Sequence, residues 1–557
     1  MKRRDFLKTG LKIGVAANAL PLILGGSPIR ALGRSPLRSA LETSGTANNN
    51  VLVVIQLAGG NDGLNCLVPH NDANYKTLRP TLGLDLTKDS LLVLPDHDTL
   101  AFHGSMSGFS QLYGSGGGSG NIAILQNVGY PNPILSHFRG TDIWNTATDS
   151  DRVASSGWLG RYLLGQNPGY PPATIQNNSW PLAIEFGNAL SNVFLAQAGG
   201  MGIALNQFPS QASPGGHNYD AIPSNPTTQY TELDYIRIIQ AESEVYTNTI
   251  YNQCVVPKIA NNVKYPDSGI AKDLASVAKL IGTQWQQAGN VLQTKIYFVT
   301  QGGYDTHSTE LTNQGKLLSD LSAAVLAFQQ DIEAFKVADQ VAIMTYSEFG
   351  RRPQENGSGT DHGTAAPHFV IGTQVIGKVY GSDPKLDSTS LTAGAGNLTY
   401  DPAHDFRNVY ATMMNEWLLA GGDQAKINTA ITDVISSDLN PTFYSNTSNW
   451  QSLGIFKPSG NQYVGSAPDA MGLMLLQNYP NPAYGSTTIQ YTLDISGPIE
   501  LGIFSTDGTE VARIVDGWQS AGPQSANFNA DKLASGAYIY RLKTATQNVT
   551  RQMAVVH

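Results

Sequence analysis

Four short apolar runs, separated by long segments with helical spacing, constrain the fold of this chain most strongly. The runs are VLVVIQL (51–57), NIAILQNV (121–128), KIYFVTQ (295–301) and QVAIMTYS (340–347). Such runs are typical of strands buried on both faces of a sheet. Between the last two, apolar residues recur at helical spacing from Leu317 to Phe335, with Ser308 placed as the N-cap and Glu310 as a first-turn acid. The sequence therefore predicts an α/β domain over residues 48–450, in which a mostly parallel sheet is flanked by helices.

The N-terminus has the features of an export signal. A basic head, MKRRDFLK, precedes the apolar stretch IGVAANALPLILGG, which is too short to span a bilayer. Arg3 and Arg4, followed by DFLK, closely resemble the twin-arginine signal, and the alternative is a chance arginine pair in a general secretion signal. We interpret residues 1–45 as a signal peptide and leader. The twin-arginine machinery is then an expected partner, and the mature chain is expected to have no transmembrane segment.

Charge and cysteine content narrow the functional classes. The first 45 residues carry eight Lys/Arg and two Asp/Glu, a surplus of six positive charges, so removing them changes the net charge from −9 to −15. An acidic protein does not suit nucleic-acid binding, which needs a basic face. Only Cys66 and Cys254 are present, so no disulfide framework holds the fold.

The composition changes near residue 450. Residues 451–472 are rich in Gly, Ser and Pro, as in a linker, and residues 473–557 show short alternating strands typical of a small all-β sandwich, with Asp507-Gly508 as a hairpin turn. The stretches LLQNYPNPAYGSTTIQYTL and GAYIYRL closely resemble the C-terminal sorting domain of the type IX secretion system. The resemblance implies passage through that machinery to the cell surface or the medium. An ordinary carbohydrate-binding module is the alternative.

Acids and histidines follow the predicted strands. Asp62 follows the first run, Ser136 and His137 follow the second, Asp305 and His307 the third, and Glu348 the fourth, while a fifth segment contains Asp361, His362 and His368. The carboxyl ends of parallel strands meet at one edge of a sheet, where ligands bind. Asp, Glu and His together are typical of a site for a divalent metal with a hydrolytic role. For any single position, a turn or helix-capping role is the alternative.

Two further features point to an anionic substrate. Ser136 stands where Pro133 ends an extended segment and a helix begins, so its hydroxyl lies at a helix N-terminus that can hold a phosphate or sulfate; the alternative is a plain N-cap serine. The guanidinium groups of Arg139, Arg351 and Arg352 match an oxyanion with two parallel hydrogen bonds, although structural or surface pairing is the alternative.

Several segments together resemble one family. AGGNDGLN, SHFRGTDIW, GWLGRYL, GGYDTH, SEFGRR, GTDHGTAAPHFVIG and DFRNVYATMMNEWL look like the secreted bacterial family catalogued as domain of unknown function 1501, across nearly all of residues 50–425. That family is grouped by fold with alkaline phosphatases, sulfatases and cofactor-independent phosphoglycerate mutases. The resemblance implies an alkaline-phosphatase-like fold and one or two divalent ions, zinc first among them, with Ser136 as the nucleophile.

The resemblance can be aligned in two registers. In the first, one metal takes Asp305, His307 and His362, although one residue separates Asp305 from His307 where relatives commonly have three. The other metal then takes Asp62, Ser136 and Glu348, with His137 as a possible substitute, and Phe349 stands where relatives have an imidazole. In the second register, Asp361 and His362 form the Asp-His pair and His368 is the last ligand. We favour the first, because it keeps each group at a strand end.

The sequence therefore predicts an exported metal-dependent hydrolase of phosphate or sulfate esters, acting on a small-molecule or polymer substrate. The alternative is a non-catalytic binding or surface-assembly protein that keeps the fold, which the missing imidazole at Phe349 favours. A carbohydrate-active hydrolase with paired carboxylates is a third interpretation, but it has no need of a histidine-rich rim.

Overall fold

The structure is a computed structural model, and its described residues form two compact units divided between Tyr463 and Val464. The described residues are 48–114, 120–168, 170, 179–197, 199–212, 240–287, 290–447, 449–457, 474–475, 478–493, 497–505, 509–519, 522–544 and 548–556. The predicted leader (1–45), residues 458–472 of the predicted linker (451–472) and the predicted turn at Asp507-Gly508 lie outside this part of the chain. The domain boundaries given above remain predictions.

A central sheet of eight strands organises the first unit. The strands are β1 Val51–Ala58, β2 Ile122–Val128, β3 Ala183–Phe186, β4 Ile203–Leu205, β5 Ile296–Gly302, β6 Val341–Tyr346, β7 Ala366–Ile371 and β8 Val379–Tyr380. Their order across the sheet is β8-β2-β7-β6-β1-β5-β3-β4. Strand β1 pairs in parallel with both β5 and β6, and β7 runs antiparallel to its two neighbours. All four apolar runs are confirmed as strands of one mostly parallel sheet.

Helices cover both faces of this sheet. The main ones are α1 Ser107–Tyr113, α2 His137–Thr146, α3 Trp158–Gln166, α4 Gly269–Gln287, α5 Glu310–Ala334, α6 Phe406–Thr412, α7 Gln424–Val434 and α8 Pro441–Thr447. Residues 240–250 are also helical, and shorter helices span Gly63–Cys66, Ala73–Leu78 and Ser388–Ala393. Alternate residues of β1 face opposite ways: Val51, Val53 and Ile55 belong to one apolar core, and Leu52 and Val54 belong to the other. The predicted α/β architecture is confirmed.

The start of α5 differs from the sequence prediction. The helix begins at Glu310, and the residue before it is Thr309, whose φ of 51° lies in the left-handed region. Ser308 is therefore not the capping residue. Glu310 is buried, so it is not an ordinary solvent-exposed acid of a first turn.

Short strands beside the main sheet complete the first unit. Leu67–Val68, Leu92–Leu94 and His97–Phe102 form a three-stranded sheet, and Leu195–Ala196 pairs with Gly199–Gly200. Arg351–Glu355 pairs antiparallel with Thr360–His362, so that Arg351 lies opposite His362. We call this pair the 351–362 hairpin.

The second unit consists of β-strands around its own apolar core. The strands are β9 Met474–Leu475, β10 Tyr479–Tyr484, β11 Ser486–Leu493, β12 Gly497–Ser505, β13 Glu510–Gln519, β14 Gly522–Asn529, β15 Gly536–Lys543 and β16 Asn548–Val555. Nearly all pairings are antiparallel, as in β12 with β13 and β15 with β16. The predicted all-β character is confirmed.

The described residues also bear on two predictions from the sequence, which concern membrane-spanning segments and disulfide bonds. No helix within them combines the length and the apolar character that crossing a membrane requires. Cys66 and Cys254 are both buried and both free, so packing holds the first unit together without a disulfide between them.

Candidate metal centre

Four predicted site residues converge beyond the carboxyl end of β5. Asp305 and His307 lie in the turn between β5 and α5, His362 ends the 351–362 hairpin, and His137 is the first residue of α2. His137, Asp305 and His362 offer ligand atoms within 4.8 Å of one another, the one such group of three or more His, Cys, Asp or Glu side chains in the described part of the chain. His307 adjoins it, with Nε2 3.0 Å from Nε2 of His362. We call these four residues the His-Asp cluster.

The spacing of the donor atoms matches a metal centre. Asp305 Oδ1 is 3.2 Å from Nε2 of both His307 and His362, and Asp305 Oδ2 is 3.3 Å from Nε2 of His137. In a tetrahedral site with zinc–nitrogen distances of about 2.0–2.1 Å, neighbouring donors are about 3.3–3.4 Å apart. The separations from Asp305 to the three imidazole nitrogens therefore match those between neighbouring ligands of a single zinc-sized ion.

The Nδ1 atoms of His362 and His137 each face a hydrogen-bond acceptor, which determines which ring nitrogen carries the proton. His362 Nδ1 lies 2.9 Å from the carbonyl oxygen of Leu135 and His137 Nδ1 lies 2.8 Å from Oε1 of Glu348. A carbonyl or carboxylate oxygen accepts a hydrogen bond, so each Nδ1 carries the proton, and in a neutral ring the Nε2 lone pair points into the cluster. Metal-binding histidines typically show this arrangement. The sequence predicts Glu348 as a metal ligand, but in the structure its carboxylate instead accepts the hydrogen bond from Nδ1 of His137.

Close packing around Phe349 holds His137, on α2, near His362, on the 351–362 hairpin. The ring of Phe349 is buried, and its centre lies 4.5 Å from the ring centre of His362 and 5.0 Å from that of His137. A Cβ at Gly140 would lie 3.1 Å from the carbonyl oxygen of Glu348, so glycine allows α2 to approach the end of β6 closely. Phe349 provides no ligand, and instead supports two of the imidazoles.

Asp305 is the hub of the cluster. Arg351 Nη2 donates to Oδ1 of Asp305 at 2.7 Å, and three histidine nitrogens lie within 3.3 Å of the same carboxylate. Partial burial raises the pKa of Asp305, but the hydrogen bond from Arg351, the neighbouring His362 and the charge of Arg351 outweigh it and lower the pKa to about 2. The carboxylate is therefore charged at neutral pH, as a metal ligand must be.

Two of the three predicted oxyanion-binding arginines, Arg139 and Arg351, are occupied elsewhere. Arg351 is fully buried and donates to four backbone carbonyls as well as to Asp305; these belong to Gly59, Gly60, Tyr304 and Thr360. Arg139 pairs with Asp142 and donates to the carbonyls of Ser150 and Arg152. The guanidinium of Arg351 therefore donates its hydrogen bonds to groups of the protein, and it is not free to bind an anionic substrate.

The remaining predicted residues fall into two groups. Asp361 lies behind His307, with Oδ1 3.5 Å from Nδ1 of that ring. Asp62 and His368 are not brought to the cluster. Asp62 is fully buried and paired with Arg79, while His368 lies on β7 in the core, with Nδ1 3.2 Å from the carbonyl oxygen of Thr345. Burial lowers the pKa of His368 to about 4, so it is a neutral core histidine.

Sequence reasoning missed Glu310, which connects two ligand-bearing segments. Glu310 Oε2 accepts from Thr306, between Asp305 and His307, at 3.2 Å, and from Thr360, two residues before His362, at 2.6 Å. Burial and the charge of Asp62 raise the pKa of Glu310 to about 9. The carboxyl is therefore protonated at neutral pH. A buried glutamate at a helix start has no sequence signal distinct from an ordinary first-turn acid.

We expect Glu310→Gln to change how stability depends on pH. The pKa of Glu310 is raised from an ordinary 4.5 to about 9 on folding, so its contribution to stability is complete below pH 4.5 and is lost as pH rises to about 9. The free energy of unfolding of the wild type, minus that of Glu310→Gln, should fall across this window by of order 1 kcal/mol per pH unit. Urea unfolding of both proteins at pH 5, 7 and 9 measures the difference. A constant difference would show that Glu310 is ionised in the folded protein.

Comparison with solved structures gives distant likenesses. A protein in the alkaline phosphatase superfamily from Vibrio parahaemolyticus is 8% identical, covers 65% of this chain and 71% of its own, and has a TM-score of 0.28. The PsFucS1 sulfatase from Pseudoalteromonas sp. is 9% identical, covers 89% and 86%, and has a TM-score of 0.27. With TM-scores this low, the likenesses carry no argument about chemistry.

A third solved structure is PorZ, a surface component of the type IX secretion system of Porphyromonas gingivalis. It is 20% identical over 18% of this chain, with a TM-score of 0.12, and this chain spans only 14% of PorZ. No curated protein matched the chain.

Comparison with protein families gives two matches. Residues 477–556 match the secretion system C-terminal sorting domain, which indicates type IX secretion to the cell surface or outside the cell. Residues 291–417 match the family described as a protein of unknown function (DUF1501), and this segment contains Asp305, His307 and His362. Both resemblances recognised in the sequence are thereby confirmed, to the family of unknown function over residues 291–417 and to the sorting domain over residues 477–556.

Proposed function

We propose that this secreted protein is a metal-dependent hydrolase of phosphate or sulfate esters, with the His-Asp cluster as its metal site. The observation that carries the proposal is the convergence of three imidazole Nε2 atoms on Asp305 at distances of 3.2–3.3 Å. Hydrogen bonds from the opposite ring nitrogens hold His137 and His362 in the tautomer that binds a metal. We expect one divalent ion, zinc first among the candidates.

Solvent access favours a catalytic rather than a structural ion. The side chains of Asp305 and His307 are each nearly half exposed, at 47% and 46%. Structural zinc sites are closed by four protein ligands, whereas catalytic sites keep a position open to water or substrate. The cluster is therefore accessible to an ester from solution.

Ser136 is the proposed nucleophile. It is exposed, directly precedes His137, and its side chain makes no capping hydrogen bond to α2. The first backbone N–H groups of a helix lack partners within the helix, so they can bind the oxygens of a phosphate or sulfate group next to Ser136. In the reaction, the bond from Oγ to phosphorus or sulfur forms as the bond to the alcohol oxygen breaks, and the proton lost from Oγ balances the one gained by the departing alcohol. Water then hydrolyses the seryl ester, which restores the serine hydroxyl and releases phosphate or sulfate. When bound, a divalent ion supplies Lewis-acid polarisation of the ester oxygens.

We expect Ser136→Ala to lose hydrolysis while keeping the metal. The variant removes the attacking oxygen and none of the ligand atoms, so kcat/KM on p-nitrophenyl phosphate or sulfate should fall by at least about 1,000-fold. Ser191 is a matched control, because it also precedes a helical turn without making a side-chain cap, and Ser191→Ala should retain activity. Equal activity of Ser136→Ala and wild type would exclude Ser136 as the nucleophile.

The alternative is a binding or surface-assembly protein with a bound but non-catalytic ion. The occupied guanidinium groups of Arg139 and Arg351 favour it, because neither is free to hold an anionic substrate. This alternative predicts a metal-loaded protein with no turnover of phosphate or sulfate esters. A p-nitrophenyl glycoside in the same assay tests the carbohydrate-active interpretation, which predicts activity that survives chelation.

A further inference from the structure

Asp62, which the resemblance implies as a ligand of a second metal ion, forms a buried ion pair with Arg79 in the structure. The resemblance implies this role, since Asp62 follows the first apolar run. Arg79 binds both of its carboxylate oxygens, with Nη1 2.6 Å from Oδ2 and Nη2 2.8 Å from Oδ1. Both side chains have 0% exposure, so neither solvent nor a dissolved ion reaches the pair.

The guanidinium of Arg79 has a partner for every N–H. Beyond the two bonds to Asp62, Nε donates to the carbonyl of Pro353 at 2.8 Å, Nη1 to Oδ1 of Asn65 at 2.9 Å and Nη2 to the carbonyl of Arg352 at 3.0 Å. A guanidinium has five N–H donors, and five acceptors surround this one. Burial raises the pKa of Asp62, but the charge and hydrogen bonds of Arg79 outweigh it and hold the pKa below its ordinary value. The pair is therefore fixed and fully ionised.

A third group closes the surroundings of Asp62. Glu310 is buried near Asp62, whose charge together with burial keeps the Glu310 carboxyl protonated, and its Oε1 has no hydrogen-bond partner among the described residues. The group formed by Arg79, Asp62 and Glu310 then has no net charge. A second divalent cation would have to displace Arg79, because Arg79 already binds both oxygens of this fully buried carboxylate.

We infer that Arg79 is an internal cation that replaces a second metal ion, so that this chain binds one ion, at the His-Asp cluster. The described residues of the first unit thus fit one of the two ligand sets that the resemblance implies and do not fit the other. The inference rests on the proposed metal site but concerns the number of ions. The Arg79–Asp62 pair joins the loop after β1 to the 351–362 hairpin through the carbonyls of Arg352 and Pro353, so it organises the site without metal.

The number of zinc ions bound tests the inference. The full mature chain is incubated with excess zinc, freed of unbound zinc by gel filtration, and analysed for zinc per chain. The wild type should hold one equivalent. The double variant Asp62→Asn/Arg79→Met, which removes both charges together and so leaves no unpaired buried ion, should also hold one. His362→Ala should hold none.

The possible outcomes separate the inference from the proposed function. Two equivalents in the wild type and one in the double variant would show that Asp62 binds a second ion, which overturns the inference but leaves the metal-dependent hydrolase intact. Two equivalents in both proteins would also overturn it, by placing a second ion elsewhere. No zinc in the folded wild type would overturn both. If the double variant fails to fold, the wild-type value still decides between one ion and two.

Discussion

His362→Ala is expected to release the metal ion and to abolish ester hydrolysis. His362 is the central imidazole of the cluster, because its Nε2 lies 3.0 Å from Nε2 of His307 and 3.2 Å from Oδ1 of Asp305. Loss of a partner behind a metal ligand typically reduces metal affinity by about 10- to 100-fold, and loss of the ligand itself should cost more. Zinc retained after dialysis against a weak chelator, together with kcat/KM on p-nitrophenyl esters, measures both effects.

His97 offers a matched control for this variant. Its Nε2 lies 3.3 Å from Asp383, the same kind of histidine–carboxylate contact, and its side chain is also partly exposed. It is not part of the His-Asp cluster. His97→Ala should therefore keep its zinc and its activity. If His362→Ala retained zinc as tightly as His97→Ala, the cluster would not be the metal site.

Arg351→Met is expected to destabilise the first unit by at least about 3 kcal/mol. The guanidinium is fully buried and joins the loop after β1, the turn after β5 and the 351–362 hairpin through carbonyl acceptors. Each buried acceptor left without a donor costs about 1–3 kcal/mol, and a buried arginine that loses its role leaves several. Urea unfolding, followed through the tryptophans of the first unit, measures the change.

The same substitution at the neighbouring Arg352 is a control that distinguishes a structural role of Arg351 from a substrate-binding role. Arg352 is next in sequence and only partly buried, so Arg352→Met should change the free energy of unfolding by less than about 1 kcal/mol. A wild-type stability for Arg351→Met, combined with a raised KM, would instead restore the oxyanion-binding role predicted from the sequence. The two roles thus predict opposite patterns of stability and kinetics.

The parallel core was predictable because its strands are buried on both faces. β1, β5 and β6 each begin with a continuous buried run of at least four apolar residues, which is typical of strands buried on two faces. The direction of β7 was not predictable in this way, because an apolar run has no polarity. His368 was therefore assigned to the rim in one register, and the antiparallel strand places it in the core.

The candidate site was predictable where a ligand stands in the turn that follows a strand. Asp305 and His307 directly follow β5, and His362 was expected in the site in either register. The partners were harder to predict, since they depend on side-chain direction. His137 was only a substitute ligand in the sequence interpretation, and Glu348 was a ligand rather than its hydrogen-bond acceptor. Arg79 had no signal, because a lone arginine after a short helix resembles any surface residue.

A crystal structure of the mature chain grown with zinc, with an anomalous difference map, tests the metal site most directly. We expect one strong peak, about 2.0–2.1 Å from a carboxylate oxygen of Asp305, from Nε2 of His362 and from Nε2 of either His137 or His307, with one position left open to water. Asp62 should remain paired with Arg79 in the same crystals. A map with no peak at the His-Asp cluster, from crystals grown with zinc in the medium, would show that the cluster is not a zinc site.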